Sequence, residues 1–183
     1  MKKVLMIVCM MLMSVGAFAQ AGTVAVGPNV GIALYGNSYN PFGVGAKLQY
    51  EFIDNFRGEV AYNFWFPKND QGIMDIDFNF QYLIPIAEGV KFYPIAGVNM
   101  GITHGDVYKE IFGEQQSLFG IQGGVGIEYY VAENIKLNVD AKYQYNKRKK
   151  SYDAILPGLG TISSEWEMKY DGPVFQAGVA FIF

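Results

Sequence analysis

IKLNVDAKYQY, residues 135–145, alternates throughout: Ile135, Leu137, Val139, Ala141, Tyr143 and Tyr145 are separated by Lys136, Asn138, Asp140, Lys142 and Gln144. A period of two over such a run is a β-strand with one apolar and one polar face. Which face looks outward decides the rest. In a water-soluble protein the apolar face packs inside, whereas in a barrel set in lipid the arrangement is inverted.

Seven other segments alternate in the same way: 24–34, 44–52, 56–65, 73–84, 90–103, 118–130 and 173–183. Eight strands is an even number, as a closed up-and-down barrel needs. Three connections are tight, around Ile53-Asp54-Asn55, Ala87-Glu88-Gly89 and Ala132-Glu133-Asn134. Four are longer, at about 35–43, 66–72, 104–117 and 146–172. Long and short alternate along the chain, so all tight turns fall at one end of the barrel and all long loops at the other. Pro28 and Pro94 lie inside strands, where they remove ladder donors and predict bulges or local breaks. No helix is predicted after the first segment.

That first segment reads MKKVLMIVCMMLMSVGAFAQ. Lys2 and Lys3, an apolar run from Val4 to Val15, and Ala17-Phe18-Ala19 have the form of a secretory signal peptide cut before Gln20. The run is too short to span about 30 Å of hydrocarbon as a helix. Residues 1–19 are therefore the expected signal and 20–183 the single mature domain. Cys9, the only cysteine, goes with the signal, which leaves no disulfide, thiolate metal site or cysteine nucleophile. The signal also takes two lysines and no acid, so the mature net charge becomes more negative than the −3 of the whole chain. Such a charge gives no electrostatic basis for binding nucleic acid.

The glycines decide the orientation. Gly45, Gly97, Gly101, Gly120, Gly124, Gly126 and Gly178 share the polar face. Bulk water has no need of them there, and each weakens its strand. The interior of a small barrel does need them, because it is only just wide enough for side chains. The polar face is then the lumen. Its expected charge network is Lys47, Arg57, Lys91, Lys136 and Lys142 with Glu51, Glu59, Asp75, Asp77, Glu128 and Asp140. Near-balance of sign favours a filled lumen over an open channel, since buried charges must be paired and hydrogen-bonded. Aromatics gather toward the rims: Tyr50, Phe52, Phe56, Phe92 and Tyr129 at one end, Phe64, Phe119, Tyr143 and Tyr145 toward the other. Girdles at both interfaces are a property of membrane barrels. A lipocalin-like barrel would leave both features unexplained.

The chain ends VFQAGVAFIF. This resembles the terminal strand of bacterial outer-membrane barrels, which finishes in an aromatic with apolar residues at every second place upstream. With the eight strands and the signal, the mature chain resembles the OmpA/OmpX-type small β-barrel family, without a periplasmic domain. The resemblance implies an all-β fold, an eight-stranded antiparallel up-and-down transmembrane β-barrel in the bacterial outer membrane. It implies that Phe175, Val179, Phe181 and Phe183 are the signal read by the barrel-assembly machinery. It carries no chemistry, because the family shares a barrel and not an activity.

Each candidate site has a plainer reading beside it. His104, the only histidine, sits in THGD near Asp106, Glu114 and Ser117, but no spacing brings a catalytic set together. Asp75 and Asp77 share a face and could act as an acid–base pair, though neutralising lumenal cations is the simpler role. The glycines of GIQGGVG, 120–126, fall within a strand and not at the strand-to-helix turn that a phosphate loop requires. Lys147, Arg148, Lys149 and Lys150 follow the outer aromatics and are placed to contact lipopolysaccharide phosphates. The apolar residues of 151–168 suit contact with a host or envelope protein, or packing within an extended hairpin. The expected role is structural or interactive, through the external loops, with no enzyme activity, cofactor or metal. The alternatives are a narrow channel for ions or small solutes and a lipid A-modifying enzyme.

Overall fold

The computed structural model describes residues 22–35, 40–68, 71–104, 117–156 and 160–183, and for residues 68, 71, 104, 147–156 and 160–169 it describes the backbone alone. The expected signal segment, Asp106 and Glu114 lie outside the described residues.

The strands are β1 (Thr23–Ala33), β2 (Phe42–Ile53), β3 (Phe56–Lys68), β4 (Gln71–Tyr82), β5 (Ile84–Ala87), β6 (Val90–His104), β7 (Ser117–Ala132), β8 (Ile135–Leu156) and β9 (Gly160–Ile182). Sequence neighbours pair antiparallel, β1 pairs with β9, and β4 pairs with β6, so the sheet closes. The short β5 continues β4 in the same register: Gln81 faces Ile95 and Ile84 faces Phe92. The wall therefore has eight staves.

Both expected proline breaks are present. The β4–β5 gap falls opposite Pro94, which has no N–H to give, while on the β3 side the Leu83 N–H donates to the Asn55 carbonyl at 2.7 Å. Along β1 and β9 the pairing stops after Val26–Phe181 and resumes at Asn29–Gly178, with Gly27 and Pro28 between. The three tight turns are two residues long, and the register shifts beside each of them. In two of them Asn55 at φ 68° and Gly89 at φ 69° take the left-handed backbone.

Two expected loops are mostly strand. Around 66–72, β3 runs to Lys68 and β4 starts at Gln71, and these two residues pair. Within 146–172, β8 and β9 stay in one register from Ile135–Phe181 to Leu156–Gly160. Backbone ladders need no alternation of side chains, so strands outlast the pattern that reveals them. Above Lys147, its last pair with β7, the β8–β9 hairpin extends past the wall.

Candidate functional site

The two faces of the wall separate cleanly. Val30, Ile32, Leu48, Val60, Phe80, Ile121, Val125, Ile127, Val139, Phe175 and Phe181 are exposed on the outside. Lys47, Arg57, Glu59, Asp75, Asp77, Glu128, Lys136, Asp140 and Lys142 are all buried inside. Val139 is 59% exposed and its neighbour Asp140 is 0% exposed, which resolves the opening stretch of sequence. Glu51 and Lys91 are half-buried, near the turn end.

From the turn end upward, Arg57 donates to Glu128 at 2.5 Å and to Gln81 at 2.6 Å. Lys136 donates to the same Glu128 oxygen at 3.1 Å. At mid-height Lys47 is paired with Asp140, which also accepts from the Tyr93 hydroxyl. Higher still, Lys142 donates to Asp77 at 2.7 Å. Two carboxylates are held by neutral donors: Glu59 accepts from Gln49 at 2.7 Å and Asn79 at 2.9 Å. Asp75 accepts from Asn63 at 2.8 Å and the Trp65 indole at 2.7 Å.

The amides were not singled out by the sequence reading, and they do much of the connecting. The Tyr35 hydroxyl donates to Gln144, Gln144 to Gln122, Gln122 to Asn79 and Asn79 to Glu59, at 2.6 to 2.9 Å. Every donor in this relay points toward the carboxylate, so the bonds polarise one another in one sense. Their signal was available, since Gln49, Asn79, Gln122 and Gln144 share the parity of the charged positions.

Glycine spacing matches this crowding. A Cβ on Gly126 would run into the Tyr93 ring and lie 2.6 Å from Asp140 Oδ1. Gly120 would collide with Asn99 and Asn146, and Gly97 with Asn79. Gly101 is the exception, with only ordinary contacts to Ile73 and Leu118.

Apolar side chains stand above the polar layer and are interleaved with its lower part, where Tyr93 bonds Asp140 and lies against Arg57. At the loop end Ala33, Tyr35, Trp65, Ile73, Leu118, Tyr170 and Val174 form one buried cluster. At the turn end Leu83, Tyr93 and Ile95 form a second. The alternation rule marks apolar residues as outward, so neither cluster was legible as such.

The other sites come out as follows. Lys147, Arg148, Lys149 and Lys150 lie on β8 opposite Lys169, Met168, Glu167 and Trp166 in register. His104 ends β6 and Ser117 begins β7. Among the described residues no group of three or more His, Cys, Asp or Glu could hold a metal. The glycines of 120–126 lie in β7, away from any helix N-terminus. On β9, Phe175 and Phe181 are exposed and Val179 is half-buried; Phe183, just past it, is exposed and its N–H donates to the Val24 carbonyl at 2.8 Å.

The closed antiparallel sheet has its apolar face outward and its charges inward, and the chain's sequence matches a family model. The model describes an outer membrane protein β-barrel domain and covers residues 5–183. The chain belongs to this family. The crystal structure of Neisserial surface protein A is similar at 18% identity and a TM-score of 0.59, covering 88% of this chain and 96% of that one. OprG from Pseudomonas aeruginosa is similar at 17% identity and a TM-score of 0.63, with 89% and 96% covered. The N-terminal barrel domain of OprF from the same organism gives 16%, 0.53, 88% and 99%. At such identities these likenesses speak for the fold alone. No curated protein sequence matches the chain. As an outer-membrane barrel, the protein presents its short turns to the periplasm and its longer connections outside.

Proposed function

We propose that this outer-membrane barrel is closed to solutes and acts as a structural or surface-interaction protein through its external segments, without enzyme activity. The observation that carries the reading is the filling of the lumen, in which a bonded polar layer that includes Tyr93 lies beneath the buried Trp65 cluster. Leaving any of those charges without partners would cost several kcal/mol each, so the closed state is the low-energy one. In planar bilayers the refolded protein is expected to show no stable openings. Discrete, well-resolved conductance steps would overturn the reading in favour of a channel, and altered lipid A in cells carrying the gene would favour an enzyme.

The same reading assigns roles at the two ends of the chain. Residues 1–19 act as a cleaved signal. Phe175, Val179, Phe181 and Phe183 on the last strand serve the barrel-assembly machinery. Lys147, Arg148, Lys149 and Lys150 bind lipopolysaccharide phosphates through charge-assisted hydrogen bonds. Replacing all four by Gln should reduce lipopolysaccharide retained on purification, and unchanged retention would remove that role. The projecting β8–β9 hairpin is the natural contact for a host or envelope protein.

A further inference from the structure

The lumen carries an uneven charge. Among the described buried residues the acids are Glu59, Asp75, Asp77, Glu128 and Asp140, and the bases are Lys47, Arg57, Lys136 and Lys142, an excess of one negative charge. Half-buried Glu51 and Lys91 add one of each sign and leave the excess unchanged. It is not spread evenly. At the periplasmic end Arg57 and Lys136 share the single Glu128. Toward the outer end Asp75 and Asp77 meet one direct cation, Lys142, on Asp77.

Of the six buried side-chain oxygens without a partner among the described residues, three lie on or around that acidic pair. Asn63 donates to both Asp75 and Asp77 through Nδ2, at 2.8 and 3.3 Å. Its Oδ1 accepts from Asn29 at 3.0 Å and from Gln176 at 2.8 Å. Those bonds use the N–H groups of Asn29 and Gln176 and leave Asn29 Oδ1 and Gln176 Oε1 buried with no donor, as is Asp77 Oδ1. The three side chains are 0 to 3% exposed. Beside them is Gly45, where a Cβ would come 2.8 Å from both Asn29 Oδ1 and Asn63 Oδ1. The same Cβ would collide with the Tyr62 carbonyl oxygen, so only glycine permits this narrow niche of oxygens. Burying an acceptor without a partner is costly, and burying an unbalanced charge is more so. Small hard cations take oxygen ligands of this kind, carboxylate and carbonyl together.

We propose that the free oxygens of Asn29, Asp77 and Gln176, grouped around Asn63 beside Gly45 and next to Asp75, bind one small monovalent cation of sodium type inside the barrel. The ion neutralises the excess charge and supplies the missing partner of the free acceptors. It would act as a built-in lock on the outer half of the lumen.

Binding to the folded state alone must raise stability with ion concentration. Thermal unfolding of the full refolded barrel in detergent would be followed in sodium chloride and in choline chloride at matched ionic strength, since choline is too bulky for the niche. The expected result is a saturable rise in Tm with sodium, absent with choline. Asp75→Asn keeps an acceptor for Trp65, removes the excess charge, and should abolish the sodium-specific rise. Glu59→Gln removes a charge lower in the lumen and should retain it. Equal Tm in both salts would overturn the proposal, as would a proton on Asp75 in place of the ion, seen as a midpoint that responds to pH and not to sodium. A sodium rise that persists unchanged in Asp75→Asn would also overturn it.

Discussion

The two ends of the lumen solve one problem differently. At the periplasmic end, charge meets charge directly: Arg57 and Lys136 on Glu128, with Arg57 also 4.8 Å above the Tyr93 ring and Lys91 5.1 Å above the Tyr130 ring. At the outer end, neutral groups do most of the holding, with amides and one indole aimed at Asp75 and Asp77 beneath an aromatic cluster. Tight turns bring the lower strands together at fixed register, so long cationic chains there have defined partners. At the outer end the β1–β2 and β6–β7 connections are longer, and shape comes from large side chains. Trp65 shows this, since its ring lies over both Gly31 and Gly43, where a Cβ would meet indole atoms at 3.3 and 2.5 Å.

This contrast can be broken from either end. The largest effect is expected at the charge pairs. Arg57→Met leaves Glu128 with one cation and removes the partner of Gln81, and should destabilise by about 3–5 kcal/mol in urea unfolding. A loss under about 1 kcal/mol would mean that the lower layer is not held by charge. Trp65→Ala should cost a similar or slightly smaller amount, about 3–5 kcal/mol, by opening a cavity and orphaning a bond to Asp75. It should also raise bilayer conductance, as Arg57→Met should not while the Tyr93 cluster stays in place. Gly126→Ala forces the Tyr93 ring and Asp140 to shift and should cost about 1–3 kcal/mol. The smallest effect is expected at Gly123, on the outer surface, where an added Cβ meets nothing closer than 3.7 Å. Gly123→Ala should change stability by less than about 1 kcal/mol, with stabilisation the more natural sign. Equal costs at Gly126 and Gly123 would remove the distinction between a crowded interior and a free exterior.

Much of this was legible in residue order. Alternation located all eight staves, and the glycines on the polar face told which side was cramped. The charged positions followed from parity alone, as with Asp140 between Val139 and Ala141. Three things were hidden. Parity does not reveal height, so nothing indicated that Leu118, Ile73, Trp65 and Tyr35 would meet across four strands at one level. Binary patterning sorts polar from apolar and does not separate amides from ions, so the relay from Tyr35 to Glu59 needed coordinates. The segment 146–172 looked like a loop because its alternation fades, yet its backbone ladder continues to the Leu156–Gly160 pair.

The account depends on the inversion of the two faces, and adjacent positions on β8 test it most directly. Single cysteines at Val139 and Asn138, carrying nitroxide labels in the refolded barrel in lipid, should differ sharply in their contact with the bilayer. The label at 139 should relax strongly with membrane-dissolved oxygen, and the label at 138 should be shielded from it. The opposite ranking would mean that the charged face meets the hydrocarbon, and the structure described for the lumen could not stand.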